Sequence, residues 1–470
     1  MEVKFVEAPA TRHVEHLIIG GGPVGIQAAR LIKHHQPDAD VLVVRPEPHS
    51  LVYCAIPYAI EGLFPLSKTL KSDTLITEVG AKLVRGKAVA LDVKKRVVTL
   101  ENGDAIEFKK LLLATGATPF VLPVPGVELD HIFTVKTAAD ATKVIEALTG
   151  DAECYDDQPT DMHTGAKKAV VIGAGAIGLE QALAYRTHNV EVHLVDIMDH
   201  PLPMLIDPDM SDPITKELRD AGVHLHLGTG LKAFHGDTAV AAVELSNGTV
   251  IDLEEGVDFV IISAGMRPDI ALVAGSGIET DKDGIVVDSR METNIPGIWA
   301  AGDCTQFHSA IDGGTIGGKL ATNAVPMAKV AALNMVGKQA AYDGFFNGAI
   351  TIAGKVRVGG TGFSETMAAK RGMDVYATYG ASKTRFPMMP GSGDVRVKLI
   401  FRKGNHRIVG GQVVGSEGVA ERIDLITLAI QTKLTAADLA KFSYSAQPWQ
   451  TFFPAKNAIV EAAEKAVGVV

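Results

Sequence analysis

The sequence has little cysteine, no basic cluster and no long apolar run. Its 470 residues contain three cysteines, Cys54, Cys154 and Cys304, with no Cys-x-x-Cys pair. So few thiols, in an odd number, give no disulfide framework or structural zinc site, and they suit a reducing cytoplasm. The formal charge of −10 argues against nucleic acid or an anionic membrane surface as the main partner.

The apolar segments are short and interrupted by glycine or charge, so we expect no membrane-spanning helix. The N-terminal stretch 1–14 mixes charges and lacks the apolar core of a signal peptide. Hydrophobic residues make up 47% of the chain and charged residues 21%, which is typical of a globular enzyme. The length predicts two to four domains.

The chain is organised around a glycine motif near its N-terminus. An apolar run at 17–19, read as a buried parallel strand, is followed by Gly20-x-Gly22-x-x-Gly25 and a helix-forming stretch. Gly20 permits a tight turn, Gly22 lets a pyrophosphate approach the backbone, and Gly25 lets the helix pack on the strand. Such turns also occur without a nucleotide, but the strand–helix–strand order favours a dinucleotide site.

The position expected to bind the adenosine ribose departs from the usual pattern. About 20 residues after the last glycine, where an acidic residue is expected, this chain has Arg45, and Glu47 follows two residues later. Either Glu47 reaches the ribose or the adenosine is held in a different way.

A second motif, Gly173-x-Gly175-x-x-Gly178, repeats the arrangement in the middle of the chain. Here the following strand ends in Asp196, a carboxylate that can accept both ribose hydroxyls and that repels a 2′-phosphate. Because neither Arg nor Lys follows it closely, the second site favours NAD(H) over NADP(H). Two motifs of this kind in one chain are far more specific than one.

The two halves resemble each other beyond the glycine loops, and a different pattern follows them. An apolar strand ending in Ala114-Thr115-Gly116 is echoed by a second strand ending at Gly265. Between the halves, the acidic, turn-rich stretch 149–167 is predicted to be a solvent loop in which Cys154 is an incidental surface thiol. A helical stretch at about 317–336 precedes a strand-rich segment and three helices, which indicate a separate α+β domain.

This combination resembles the FAD-dependent pyridine nucleotide-disulfide oxidoreductases over nearly the whole chain. The resemblance implies an α/β protein with two Rossmann-like domains and a C-terminal dimerisation domain. We expect the boundaries to be 1–125 with 265–336 for FAD, 126–264 for NAD(H), and 337–470 for the dimerisation domain. The cofactor-binding positions that it implies are Gly20, Gly22, Pro23, Gly25, Glu47, Ala114, Thr115, Gly116, Gly173, Gly175, Ile177, Gly178, Glu180, Asp196, Gly265, Gly302 and Asp303.

The segment Ser50-x-x-x-Cys54-Ala-Ile-Pro57-Tyr58 resembles the single-cysteine branch of that family. This branch includes coenzyme A-disulfide reductases, NADH peroxidases and oxidases, and polysulfide reductases. The two-cysteine members carry Cys-x4-Cys and a C-terminal histidine, whereas this chain has one cysteine here and Gln447 at the histidine position. Pro23 occupies the place of the loop histidine of the peroxidases and oxidases, which disfavours peroxide cleavage because proline offers no proton.

The resemblance therefore implies a homodimer that passes electrons from NADH through FAD to a small disulfide or sulfur substrate at Cys54. Glu180 resembles the family's carboxylate near the nicotinamide, and Tyr444 of a partner subunit is a candidate proton donor beside Tyr53 and Tyr58. Each has an ordinary interpretation as well: a buried small thiol, a helix acid, and packed aromatic rings. Cys304 is interpreted as structural.

Two other functions stay open. One is an NADH oxidase or dehydrogenase that reduces oxygen or a quinone without needing Cys54. The other is a flavoprotein that acts as an NADH-responsive binding module rather than as an enzyme.

Overall fold

The computed structural model of the protein describes residues 11–150 and 165–469. Cys154 and most of the acidic stretch around it lie outside these residues, as do the first ten residues of the chain. Within the described part, the α/β architecture with two Rossmann-like units and a C-terminal α+β unit is confirmed.

The first unit is built on a mixed sheet whose central strands are apolar runs buried on both faces. The central strand runs parallel to both of its neighbours, and an antiparallel pair extends the sheet on one side. In spatial order the strands are Lys82–Arg85, Val41–Arg45, Thr11–Ile19, Ala105–Leu113, Val97–Leu100 and Ala88–Asp92, and Ile298–Ala300 also pairs with Ala105–Leu113.

The second unit has a five-stranded sheet in which every pairing is parallel. Its strands are Ile132–Phe133, Phe259–Ile262, Lys168–Ile172, Glu191–Asp196 and Val223–Leu227. A small antiparallel sheet of Leu231–His235, Ala242–Leu245 and Val250–Asp252 accompanies it. Because both glycine motifs stand at the carboxyl ends of central parallel strands, each lies where ligands bind in open α/β sheets.

The third unit is an antiparallel sheet covered by helices. Its strands, in spatial order, are Ala349–Ala353, Val356–Gly362, Ile408–Gly415, Asp394–Arg402 and Val375–Lys383. Three short two-stranded ribbons lie outside the large sheets, and they pair Ser50–Leu51 with Leu70–Lys71, Ala117–Pro119 with Met266–Pro268, and Thr280–Asp281 with Gly284–Ile285.

Local sequence signals account for many helix ends. Helix Ala138–Thr149 begins at a capping box in which Thr137 and Asp140 bond reciprocally, and it ends at Gly150 with φ of 72°. The α-helices of the described residues are Pro23–His35, Ile56–Ile60, Thr74–Thr77, Ala138–Thr149, Ala176–Thr187, Asp212–Asp220, Ala321–Met335, Glu365–Lys370, Val419–Gln431, Ala436–Leu439 and Ala458–Ala466. Short 3₁₀ turns are Tyr53–Ala55, Leu66–Thr69, Pro208–Met210, Ala271–Val273 and Pro454–Lys456.

The helix predicted at about 317–336 begins later, at Ala321. Gly318 has φ of 126°, outside the helical region, so the preceding glycines stay in a loop. The strand-rich segment that follows this helix begins with strand Ala349–Ala353.

The short helix that follows Cys54 does not pack in the core of the first unit, whose strands precede it in sequence. Leu51, Ile56, Ala59, Ile60 and Leu66 are buried in the hydrophobic core of the second unit, not in the core beneath the first glycine loop. This packing brings the cysteine segment against the unit that carries the second glycine loop.

Candidate active site

The first glycine loop leaves space for a phosphate group only where its motif predicts it. A side chain at Gly20, with φ of 116°, would place its Cβ 2.1 Å from the Ala114 carbonyl oxygen, and one at Gly25 would lie 1.9 Å from the Gly20 oxygen. Nothing lies within 4 Å of a Cβ built on Gly22. With Pro23 as the first residue of the helix and no side chain capping it, the loop fits a pyrophosphate.

Asp303 is a buried hydrogen-bond acceptor among the residues predicted for the first nucleotide site. Its Oδ1 is buried and has no partner among the described residues, and burial raises the pKa of the carboxyl. Gly302 precedes it with φ of 80°, and the Lys319 ammonium donates to the Asp303 carbonyl at 2.7 Å. A hydroxyl-bearing ligand such as the ribitol chain of FAD fits this acceptor.

At the end of the second strand, Arg45 faces inwards and Glu47 faces outwards. The Arg45 guanidinium is 1% exposed, donates to the carbonyls of Glu47 and Pro48 at 3.1 Å each, and pairs with Asp73. It also packs beneath Gly21, where a Cβ would lie 2.4 Å from the Arg45 Cδ. Arg45 is therefore a support of the glycine loop, and Glu47 is the exposed carboxylate at the strand end.

Lys136 is a residue of this region that no motif points to. Its ammonium lies 4.3 Å from the centre of the Tyr53 ring. Burial lowers its pKa, while the charges of Asp303 and Glu47 act to raise it. The lysine lies between strand Ile132–Phe133 and helix Ala138–Thr149 of the second unit, so only the fold brings it to the first nucleotide site.

The remaining residues predicted for this site stand at the end of one strand. Ala114, Thr115 and Gly116 follow Ala105–Leu113, and the Thr115 hydroxyl donates to the Asp269 carbonyl at 2.6 Å. Gly116 has φ of 76° with open space where a Cβ would stand.

The second glycine loop has the same construction. A Cβ at Gly173, with φ of 111°, would lie 2.6 Å from the Ser263 oxygen, one at Gly178 would lie 1.9 Å from the Gly173 oxygen, and Gly175 is open. Ile177 is exposed on the first turn of the helix. Gly265, which follows strand Phe259–Ile262, also has φ of 111° and open space where a Cβ would stand.

Asp196 ends the next strand, as predicted for a ribose-binding carboxylate. It accepts hydrogen bonds from the backbone amides of Ala174 at 2.6 Å and Met198 at 2.8 Å. The carboxylate is therefore tied to the glycine loop itself, and the bonds fix its position beside the space that the loop leaves open.

The two described cysteines have opposite environments. Cys54 is exposed, in the 3₁₀ turn Tyr53–Ala55 that runs into helix Ile56–Ile60. Cys304 is fully buried with its Sγ 3.5 Å from the carbonyls of Leu113 and Ala301, and burial raises the pKa of its thiol. Of these two thiols, Cys54 is the one that a substrate in solution can reach.

Glu180 joins three separate segments of the chain. It accepts hydrogen bonds from the Tyr58 hydroxyl at 3.3 Å and from the Thr351 hydroxyl at 2.7 Å. Burial raises the pKa of Glu180, and the two bonds oppose that rise. Burial and the Glu180 carboxylate together raise the pKa of Tyr58 to about 12, so the phenol stays protonated at neutral pH. Thr351 has no motif around it and is recognised only from the fold.

Within one subunit, the described contacts of Tyr444 are with residues other than Cys54. Its hydroxyl donates to the Pro454 carbonyl at 2.6 Å, and its ring packs against Phe442 and Phe452 with centres 5.6 Å apart. The ring is 40% exposed, so a second subunit could approach it.

The family model described as pyridine nucleotide-disulphide oxidoreductase matches residues 14–328, and the model of that family's dimerisation domain matches residues 349–451. The chain belongs to this family. It is an NAD(P)H-dependent flavoprotein oxidoreductase, and the expected cofactors, FAD and NAD(H), are confirmed at the level of the family. Among the described residues, none of the helices has the length and apolar character needed to cross a membrane.

The relatives carry both kinds of activity that were expected from the sequence. A protein named NADH oxidase from Methanocaldococcus jannaschii is 32% identical over 445 residues, 92% of this chain and 94% of its own. A protein named NAD(P)H sulfur oxidoreductase (CoA-dependent) from Pyrococcus abyssi is 28% identical over 90% of this chain and 92% of its own. The solved NAD-dependent persulfide reductase from A. fulgidus superposes with a TM-score of 0.89 at 28% identity, covering 97% of this chain and 83% of that one.

Proposed function

We propose that the protein is an NADH-dependent reductase of a disulfide, a coenzyme A-disulfide or a polysulfide, with Cys54 as the reacting thiol. The observation that carries this proposal is the exposed Cys54 at the entry of a helix whose Tyr58 hydrogen-bonds Glu180 beside the second glycine loop. The names of the P. abyssi and A. fulgidus relatives support a sulfur acceptor.

In this proposal the first glycine loop, Glu47 and Asp303 would hold FAD, and Lys136 would contribute a positive charge near the same site. The second loop and Asp196 hold NADH, while Glu180 faces the nicotinamide. Because Asp196 is held by two backbone amides, its charge stays in place to repel the 2′-phosphate of NADPH.

The sulfur chemistry begins with the Cys54 thiolate, which attacks one sulfur of the substrate disulfide. A Cys54–substrate mixed disulfide forms, and the other half of the substrate leaves as a thiolate that takes a proton from solvent. The two electrons that reduce this mixed disulfide come from NADH, and FAD would supply the redox chemistry for their transfer. The Cys54 thiolate is then regenerated and the second half of the substrate is released, also as a thiol after protonation.

An NADH oxidase is the second candidate, and the name of the M. jannaschii relative favours it. Against it stands Pro23, which provides no proton donor in the first glycine loop. A non-enzymatic, NADH-responsive flavoprotein is a third possibility, and sustained turnover with a sulfur acceptor would eliminate it.

An anaerobic titration of the as-isolated protein with NADH, followed by flavin absorbance, tests the proposal. Storage of Cys54 as a mixed disulfide or oxidised sulfur would raise the uptake from about two to about four electrons per flavin. Cys54→Ser should return it to about two and abolish reduction of coenzyme A-disulfide and polysulfide. Cys304→Ser is the matched control and should retain both. Sulfur reduction by Cys54→Ser at the wild-type rate would refute the role of Cys54.

We further propose a homodimer in the cytoplasm, with the three domain boundaries expected from the sequence. The match of residues 349–451 to a dimerisation domain and the half-exposed aromatic ring of Tyr444 support the dimer. In the dimer, Tyr444 would approach Cys54 of the other subunit. The small number of cysteines supports a reducing compartment.

A further inference from the structure

The helix that follows Cys54 and the helix of the second glycine loop pack against each other. We call Ile56–Ile60 the cysteine helix and Ala176–Thr187 the nucleotide helix. Apolar side chains of the two helices share one buried core, among them Ile56, Ile60 and Leu179. The position of the cysteine helix is therefore set by the second unit of the fold.

Polar bonds join the two helices near both ends of the nucleotide helix. Near its start, Glu180 accepts the hydrogen bond from Tyr58 at 3.3 Å. At its C-terminal cap, the His188 ring lies with Nε2 2.7 Å from the carbonyl oxygen of Ile60, the last residue of the cysteine helix. Since a carbonyl only accepts, His188 Nε2 carries the proton.

The hydrogen bond between His188 and the Ile60 carbonyl is buried. His188 is 7% exposed, and its Nδ1 has no hydrogen-bond partner among the described residues. The ring therefore makes a single bond, the one to Ile60. Glu180 and His188 are eight residues apart, which is about 12 Å along a helix, so the two bonds hold the cysteine helix at two separate points.

The same nucleotide helix begins at the second glycine loop. Gly175 is its N-cap, and Gly178 packs directly on the backbone of Gly173. A dinucleotide that binds the loop therefore contacts the N-terminal end of the nucleotide helix. The cysteine helix packs against the side of that same helix. Restraining the nucleotide helix restrains the turn that presents Cys54.

We propose that His188 is a positioning residue that ties the cysteine helix to the nucleotide helix, so that NAD(H) bound at the second glycine loop changes the reactivity of Cys54. This inference rests on the proposed function only in taking Cys54 as the reacting thiol and the second loop as the NAD(H) site.

The test is the rate of alkylation of Cys54 by iodoacetamide in the reduced holoenzyme, with and without saturating NAD⁺. The protein is treated with dithiothreitol and desalted under argon, and modification is measured by mass spectrometry of the peptide that contains Cys54. In the wild type, NAD⁺ should slow alkylation about fivefold, the lower end of typical coupling between sites.

Two variants at His188 distinguish an effect that passes through the His188–Ile60 hydrogen bond from simple shielding of the Cys54 thiol by NAD⁺. His188→Leu removes the bond to Ile60 and should abolish the NAD⁺ effect, while His188→Gln retains a donor and should restore it. Ile214→Val, in helix Asp212–Asp220 of the same core, is the matched control for general loosening and should keep the effect.

Absence of an NAD⁺ effect in the wild type would overturn the inference. It would also be overturned if the effect persisted in His188→Leu, was not restored in His188→Gln, or was lost in Ile214→Val. Because alkylation needs no turnover, these outcomes are distinct from failure of the proposed function, which is measured by sulfur reduction in Cys54→Ser.

Discussion

A single carboxylate, Glu180, receives hydrogen bonds from two other parts of the chain. Burial favours the neutral acid, and the hydroxyls of Thr351 and Tyr58 favour the ion. The bond from Thr351, at 2.7 Å, is the shorter. A residue of the C-terminal unit therefore acts, against burial, on the protonation of Glu180 near the proposed nicotinamide site.

We predict that Thr351→Val raises the pKa of Glu180, because the bond that it removes stabilises the ionised form. The titration of Glu180 in the pH profile of flavin reduction by NADH should therefore move to higher pH. Stopped-flow measurement under anaerobic conditions across pH 5–8 checks this, and Thr351→Ser should restore the profile.

Thr361→Val is the control for that measurement. Thr361 lies in the neighbouring strand Val356–Gly362 and bonds Thr427, so it has the same chemistry without a bond to Glu180. An identical pH profile for wild type and Thr351→Val would contradict the role of Thr351.

At the scale of elements, one buried lysine joins the second and third units. Lys398, 1% exposed in strand Asp394–Arg402, lies 3.1 Å from Asp207, 2.8 Å from Asp209 and 2.6 Å from Glu365. Although burial acts to raise the pKa of Asp207, bonds from Thr366 and the charge of Lys398 lower it to about 2.

We predict that Lys398→Met lowers the free energy of unfolding by about 3 kcal/mol, since it leaves neighbouring carboxylates without their cation. Chemical unfolding followed by tryptophan fluorescence measures this. Lys403→Met removes an exposed pair with Asp374 and should cost about 0.5 kcal/mol or less. Equal losses in the two variants would show that the buried cluster has no special contribution.

The elements that local rules determine were predictable from the sequence. Gly20 and Gly173 need positive φ and leave no room for a side chain, so the motif alone located both loops. The inward orientation of Arg45 was not predictable, because it depends on Asp73, 28 residues away, which pairs with Arg45.

Residues that meet only after folding were missed for the same reason. Thr351 and Glu180 are 171 residues apart, and His188 and Ile60 are 128 apart. No periodicity or spacing records such contacts. The predicted part in catalysis of Tyr444 stays a prediction, since its described hydroxyl bond is to Pro454.

For the molecule as a whole, four of the described histidines make stability depend on pH. Burial is the main reason that the pKa values of His16, His188, His193 and His226 are lowered. In the unfolded chain each has a pKa near 6.5. Below that value the unfolded state binds more protons than the folded state, so stability falls as pH falls. Asp207, with its low pKa, adds a loss only below about pH 4.

We therefore predict that the melting temperature falls between pH 7.5 and pH 5.5. His16→Gln should reduce this slope, because one titrating group is removed while a donor to Gln36 is retained. Differential scanning fluorimetry over that range is the measurement. A flat or rising melting temperature with decreasing pH would contradict it.

The packing of the cysteine helix also has a consequence for the order in which the chain becomes structured during synthesis. The hydrophobic core that holds its apolar residues also contains buried side chains that follow much later, the last of them Val414. At typical ribosomal rates, about 350 further residues take on the order of tens of seconds. Throughout that interval Ile56 and Ile60 lack part of their native packing, so the nascent N-terminal segment exposes apolar side chains that a chaperone can bind.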